Sequence, residues 1–205
     1  MVNPDGEMMV LYVIVGMLLV FAVVAWIARR ANRRRLEMLK TVFERGSARN
    51  AGLFGSSIVG FHSGFQCRYT VHPRSNNSPG GAILSIPVVS PHEWSVSVSG
   101  AGSRLMVKAG VLKDHEIGDP EIDSSLRCAA ADPTVPAAVF ADQRARVSLK
   151  ELVSTEHFRS VTLRNARLVV RWVPYDKSLE KDAEAVATRL RSATTLAQAL
   201  GLPPG

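Results

Sequence analysis

Ile58–His72, IVGFHSGFQCRYTVH, decides the fold of this chain. Val59, Phe61, Phe65, Cys67, Tyr69 and Val71 occupy the odd positions, and His62, Gly64, Gln66, Arg68, Thr70 and His72 the even ones. A period of two puts alternate side chains on opposite faces, so the stretch reads as a strand with one buried side. Downstream, Pro73–Gly81 (PRSNNSPGG) is dense in turn formers. Ala82–Val89 reads as a second strand, with Pro87 marking an edge or a bulge. Trp94–Ser99 alternates again, Gly100–Ser103 turns, and Leu105, Val107 and Ala109 read as a fourth strand. Residues 58–109 are therefore expected to form an antiparallel meander whose polar face is rich in serine.

Further along, Asp-Pro at 119–120 favours a turn. Asp132-Pro133 and Asp142 both read as helix starts, and Ala145, Leu149, Leu152 and Val153 form a helical stripe. Val161–Leu163 and Arg167–Val173 read as a hairpin, with Asn165 suited to a left-handed turn. Leu179–Leu200 repeats apolar residues at three and four, with Ser178 as N-cap and Gly201 as stop. The expected fold class is α+β: one N-terminal transmembrane helix, then an antiparallel β-meander and a β-hairpin packed with two short helices and a long C-terminal amphipathic helix.

Working back from Ile58, Gly46–Gly52 (GSARNAG) reads as a flexible joint, and Leu36, Leu39 and Phe43 recur at helical spacing before it. Met8–Ala28, MMVLYVIVGMLLVFAVVAWIA, holds 21 residues without a charge or a proline. As a helix it would be roughly 31 Å long, about the thickness of a hydrocarbon core. The residues before it carry Asp5 and Glu7 and no cation, and no small-x-small site follows, so an uncleaved signal-anchor is expected rather than a secretory leader. Tyr12 and Trp26 suit the two interfaces; Arg29, Arg30, Arg33, Arg34 and Arg35 follow the span and suit the cytoplasmic boundary. The same arginines could also bind anionic lipid head groups. Gly16 has no glycine four residues away to mark helix pairing.

These signals divide the chain into a short extracytoplasmic tail (1–7), a transmembrane helix (8–28), a basic juxtamembrane helix and linker (29–57), a cytosolic α+β domain (58–201) and a tail (202–205). The expected location is the inner (plasma) membrane, single-pass, with the N-terminus outside and the C-terminal domain in the cytoplasm.

Composition sets bounds but names no activity. The chain has 205 residues, of which 46% are hydrophobic and 21% charged, and carries a net charge of +7. That excludes wholesale disorder and low-complexity fibres. Much of the charge excess lies in the arginines at 29–35, and the remainder is too mildly basic to mark a dedicated nucleic-acid binder. Two cysteines, Cys67 and Cys128, are too few for a disulfide scaffold.

No catalytic constellation emerges. There is no Gly-x-Ser-x-Gly elbow and no Cys-His signature. His62, Cys67 and His72 are five apart, an odd spacing that puts neighbours on opposite faces of a strand. No metal or cofactor site is therefore assigned. His92, His115 and His157 read as solvated. Gly80-Gly81 and Gly100-Ala101-Gly102 lack a following lysine-serine pair, so they are turns rather than phosphate loops. Arg164, Arg167 and Arg171 line the hairpin and read as a solvated face. Asp119, Glu121 and Asp123 alternate in GDPEID, as ligands of a hard cation do, but turn and capping roles suit them better.

Gly118, Asp119, Pro120, Glu121, Ile122 and Asp123 also carry a resemblance. The chain resembles a group of uncharacterised bacterial single-pass membrane proteins whose small cytosolic α+β domain carries a Gly-Asp-Pro-x-apolar-Asp turn. The group usually has an aromatic where Ile122 stands. The likeness extends over residues 58–201, implies the same fold and brings no activity.

The expected function is that of a non-enzymatic module, anchored in the lipid bilayer, that binds another membrane-associated or cytosolic protein. Self-association is also open, and nucleic acid is disfavoured. The alternative is a small-ligand or enzymatic site near Asp119–Asp123.

Overall fold

The alternation at 58–72 hides a turn. In the computed structural model, which describes residues 4–50, 56–100, 114–176, 178 and 182–203, Ser63 and Gly64 have φ of 50° and 81°. Two left-handed residues make the tight connection whose twist matches paired strands. The stretch is thus a hairpin of β2 (Ser56–His62) and β3 (Phe65–His72), with His62 opposite Phe65. The turn inverts the side-chain phase. Cys67, Tyr69 and Val71 are buried as expected, but in β2 it is Ile58 and Gly60 that face inward. Val59 and Phe61 lie on the opposite face, Phe61 at 44% exposure.

Two strands flank this pair. β1 (Arg45–Asn50) runs antiparallel to β2, so most of the expected flexible joint is a strand. β4 (Gly81–Pro87) pairs with β3. The expected meander stops there. β5 (Trp94–Val98) pairs with β6 (Leu126–Ala130) and with β7 (Phe158–Arg164), while β8 (Arg167–Trp172) fills the place beside β4. The result is one eight-stranded antiparallel sheet in the order β1-β2-β3-β4-β8-β7-β5-β6. Sequential strands usually pair. Here the C-terminal hairpin intervenes, and Ser90–Glu93 carry the chain past it. The expected strand at Leu105–Ala109 lies outside the described residues.

The α1 helix spans Pro4–Val42, α2 Pro120–Ser125, α3 Thr134–Val139, α4 Gln143–Val153 and α5 Ala183–Ala199. Several starts follow their sequence signals. Asp142 caps α4 by accepting from Arg144 N, and Asp132 accepts from Thr134 N at 2.8 Å. Asp182 rather than Ser178 caps α5, by accepting from Glu184 N; Leu179 lies outside the described residues. Gly201, at φ 62°, stops α5. Asn165 and Ala166, at φ 51° and 54°, make the β7–β8 turn.

Helices line one face of the sheet. Val186, Leu190, Ala193, Leu196 and Ala197 of α5 and Ala145, Leu149 and Leu152 of α4 are buried in one cluster with Ile58, Tyr69, Leu84, Val96, Val161 and Val170. Each fully buried side chain of this kind contributes about 1.5–3 kcal/mol. The last turns of α1 join them, with Leu39 fully buried and Phe43 at 6% exposure. Gly60 is required beneath Phe43, because a Cβ there would meet its ring at 2.7 Å and Arg45 O at 2.6 Å.

The α+β class stands, but the membrane part of the expectation is corrected. Among the described residues, no helix is long and apolar enough to cross a membrane. The transmembrane, single-pass, signal-anchor assignment and the inner-membrane location built on it, with the N-terminus outside and the domain in the cytoplasm, lose their structural basis. Sequence reading treated Met8–Ala28 as a membrane span whose helix continues beyond the bilayer through Leu36, Leu39 and Phe43 to a joint at Gly46–Gly52. In the structure those residues belong to one unbroken helix that also carries Asp5, Glu7 and Arg29–Arg35 and ends inside the domain core. Large apolar side chains between Met8 and Ile27 are exposed along it, Met9 at 70% and Leu18 at 64%.

Candidate functional site

The sheet face away from the helices is built from the alternate positions of the strands. Across one row of the pairing lie Ser57, Thr70, Ile83, Arg171, Ser160, Ser97 and Arg127. The next row holds Val59, Arg68, Ser85, Val169, Thr162 and Ser95, and the row beyond it brings Pro87, Arg167 and Arg164 together. Among the described residues, no strand contains an aspartate or a glutamate. Arg45, Arg68, Arg167 and Arg171 are exposed and Arg127 is half-buried, and none has an ion pair among the described residues. Arg164 lies 3.7 Å from Glu93, at the margin. The hydroxyls sit between the cations; Ser57 and Thr70 share a hydrogen bond at 3.1 Å.

Within this face, a cleft of about 90 Å³ is lined by Arg68, Arg167, Gln66, Ser85, Val59 and Pro87. Arg68 is on β3 and Arg167 on β8, with β4 between them, so their backbones are about 10 Å apart. Long guanidinium side chains from both sides can reach a group held over Ser85. A planar donor fork matches carboxylate geometry. Sequence reading picked out Arg164, Arg167 and Arg171 on the hairpin. It missed Arg68, which only strand pairing brings near Arg167, and Arg127 at the far edge of the same face.

The Gly118–Asp123 turn is built differently. Asp119 caps α2, with its Oδ1 accepting from Glu121 N at 3.1 Å and Ile122 N at 3.3 Å. Its Oδ2 lies 3.0 Å from Lys150 Nζ, which also reaches Glu121 Oε2 at 2.7 Å. Lys150 and the two amides hold the Asp119 carboxyl below its ordinary value, and Glu121 and then Asp119 raise Lys150. Asp123 turns back to accept from Ile117 N, Gly118 N and Asp119 N at 2.8, 3.1 and 3.2 Å. Both oxygens of Asp119 and Asp123 are thus engaged within the chain. A shallow hollow of about 340 Å³ adjoins them, walled by Gln143, Arg146, Val147 and Lys150. We expect Asp123→Ala to cost about 1–3 kcal/mol, because three amides lose their acceptor. Thermal melting checks it, and an unchanged midpoint would return these carboxylates to the list of free ligand groups.

The remaining sequence candidates disperse. Cys67 faces the core, His72 is exposed, and His62 is half-buried on the inner face of β2. Desolvation lowers the His62 pKa, against an opposing pull from Glu44. Burial pushes the Cys67 and Cys128 thiols up to about 12, which leaves them poor nucleophiles. Glu156, His157 and Asp176 each bring one ligand atom within 4.8 Å of the others, a cluster able to hold a cation that sequence spacing did not show. Arg29, Arg30 and Arg33 are exposed on α1, where the Arg30 guanidinium lies 5.4 Å from the Trp26 ring centroid. Tyr12 is 67% exposed, and the Arg34 and Arg35 side chains lie outside the described set. Assigning these residues to a membrane interface depended on the span.

No protein family matches the chain, and neither does any curated protein or solved structure.

Proposed function

We propose that the domain is a non-enzymatic binding module that grips an acidic segment of another protein on the open face of its sheet. One observation carries the reading: among the described residues, exposed arginines and hydroxyls share a face whose strands carry no carboxylate, around a cleft of about 90 Å³ flanked by Arg68 and Arg167. Charge complementarity selects the occupant and speeds its encounter. An acidic polypeptide suits this face better than nucleic acid, because Phe61 is the one exposed aromatic on it among the described residues and base stacking needs a series.

Fluorescence anisotropy of the full-length chain with a labelled glutamate-glycine repeat peptide tests the proposal. Each arginine–carboxylate contact contributes about 1.5–3 kcal/mol, so the Arg68→Glu/Arg167→Glu variant should bind at least tenfold more weakly. Both residues are exposed, so melting should be unaffected. Affinity indifferent to the double reversal would refute the reading. Tighter binding of an oligothymidylate of equal charge would replace the acidic peptide with a nucleic acid.

A further inference from the structure

Glu156, His157 and Asp176 converge where the chain enters β7 and leaves β8. His157 Nε2 lies 3.8 Å from Glu156 Oε1 and 3.5 Å from Asp176 Oδ2, and the three groups bring their ligand atoms within 4.8 Å of one another. These separations are longer than a well-made hydrogen bond, which closes to about 2.7–3.2 Å. They suit atoms that share one ion. Tetrahedral ligands held about 2.0–2.1 Å from a metal stand roughly 3.4 Å apart.

The chain holds these groups from behind. Glu156 O accepts from Arg189 Nη2 at 3.2 Å, and His157 O accepts from Val173 N at 2.8 Å, which ties the approach to β7 against the exit of β8. The backbone N–H and the hydroxyl of Ser178 both donate to Asp176 Oδ1, which orients the carboxylate with Oδ2 toward His157. Outer hydrogen bonds of this kind fix metal-binding carboxylates. His157 and Asp176 are half-buried and Glu156 is exposed, so one side of the cluster opens to water.

The donor set selects the ion. One imidazole nitrogen with two carboxylates suits zinc and its first-row neighbours, whereas magnesium and calcium take oxygen ligands. Two carboxylate charges balance a divalent ion, and a neutral imidazole adds none. The Arg189 cation is engaged by Tyr69 and by the Trp172 ring.

We propose that Glu156 Oε1, His157 Nε2 and Asp176 Oδ2 bind one divalent ion of the zinc type, with water completing its coordination on the exposed side. The ion joins the residues before β7 to the segment after β8 and steadies the base of the C-terminal hairpin. The site shares no residue with the arginine face, so it stands or falls apart from the acidic-peptide reading.

Isothermal titration calorimetry of the untagged full-length chain with Zn²⁺ tests the site. Zn²⁺ should bind at a single equivalent and raise the melting midpoint, because a ligand of the folded state stabilises it. His157→Asn removes the imidazole and suits the left-handed backbone at φ 64°. Asp176→Asn removes the charge and keeps an oxygen for Ser178. Each should weaken Zn²⁺ at least about tenfold and erase most of the melting shift, with the metal-free midpoint near that of wild type. His72→Ala, at an exposed histidine elsewhere, should leave the affinity unchanged. Mg²⁺ should bind wild type at least about a hundredfold more weakly than Zn²⁺. Absence of Zn²⁺ binding, affinity that survives either asparagine variant, loss of affinity in His72→Ala, or Mg²⁺ binding as tight as Zn²⁺ would each overturn the proposal.

Discussion

Trp172→Ala should destabilise the protein by about 3–5 kcal/mol, the range for losing a fully packed large aromatic. Trp172 is 1% exposed, at the end of β8 beside β4 and β7. Its Nε1 donates to Thr155 Oγ1 at 2.8 Å, tying the strand to the end of α4. The Arg189 guanidinium of α5 sits 5.2 Å from its ring centroid, and the Tyr69 ring of β3 lies at 6.4 Å. Arg189 is itself 3% exposed, and its Nη1 donates to Tyr69 at 3.1 Å. Alanine would open a void and withdraw the π-face from a buried cation at once. Most domains have only about 5–15 kcal/mol in hand, so this is a large share. Urea unfolding of wild type, Trp172→Phe and Trp172→Ala should give graded midpoints. Phenylalanine keeps most of the ring volume and loses the indole bond. A change below about 1 kcal/mol for alanine would show that this ring does not anchor the core.

Gly80→Ala should be comparably damaging for a different reason. Gly80 has φ 67°, and a Cβ there would lie 2.6 Å from both Arg74 N and His72 O. Those are backbone atoms at the end of β3, so relief requires moving the strand. Gly64 is the natural control, with φ 81° and nothing within 4 Å of its Cβ position. Alanine at Gly64 pays only for the left-handed backbone, about 1–2 kcal/mol. Chemical denaturation should therefore rank Gly80→Ala clearly below Gly64→Ala in stability. Equal losses would mean that the contacts around Gly80 relax freely.

Local signals in the sequence translated well, and long-range ones did not. Asp142, Asn165 and Gly201 act through neighbours a few residues away, so a reader of sequence meets cause and effect together. Ser63-Gly64 was invisible because apolar residues keep alternating straight through it, and a two-residue turn inverts which set is buried. The partner of β5 was misread because β7 lies some sixty residues downstream. For the arginine face, Arg68 on β3 and Arg167 on β8 flank β4, and strand order alone brings them together. Asp119 and Asp123 were legible as caps, since capping is local too. Val89, Trp94, Val139 and Leu202 line one cavity of about 440 Å³, and their spacing carries no period to detect. At the N-terminus, counting apolar residues gave a membrane span, whereas no helix among the described residues is long and apolar enough to cross one. The helix's continuation and packing on the domain were legible from the spacing of Leu36, Leu39 and Phe43, of which Leu39 and Phe43 are buried.

The two thiols offer one more consequence. Cys67 and Cys128 lie in β3 and β6, toward opposite margins of the sheet, both sealed from water and both suppressed as thiolates. An alkylating reagent therefore reads them only in molecules whose strands have come apart at that place. Comparing how fast each becomes modified would time the opening of one flank against the other, turning two otherwise silent atoms into a built-in clock for how the sheet frays.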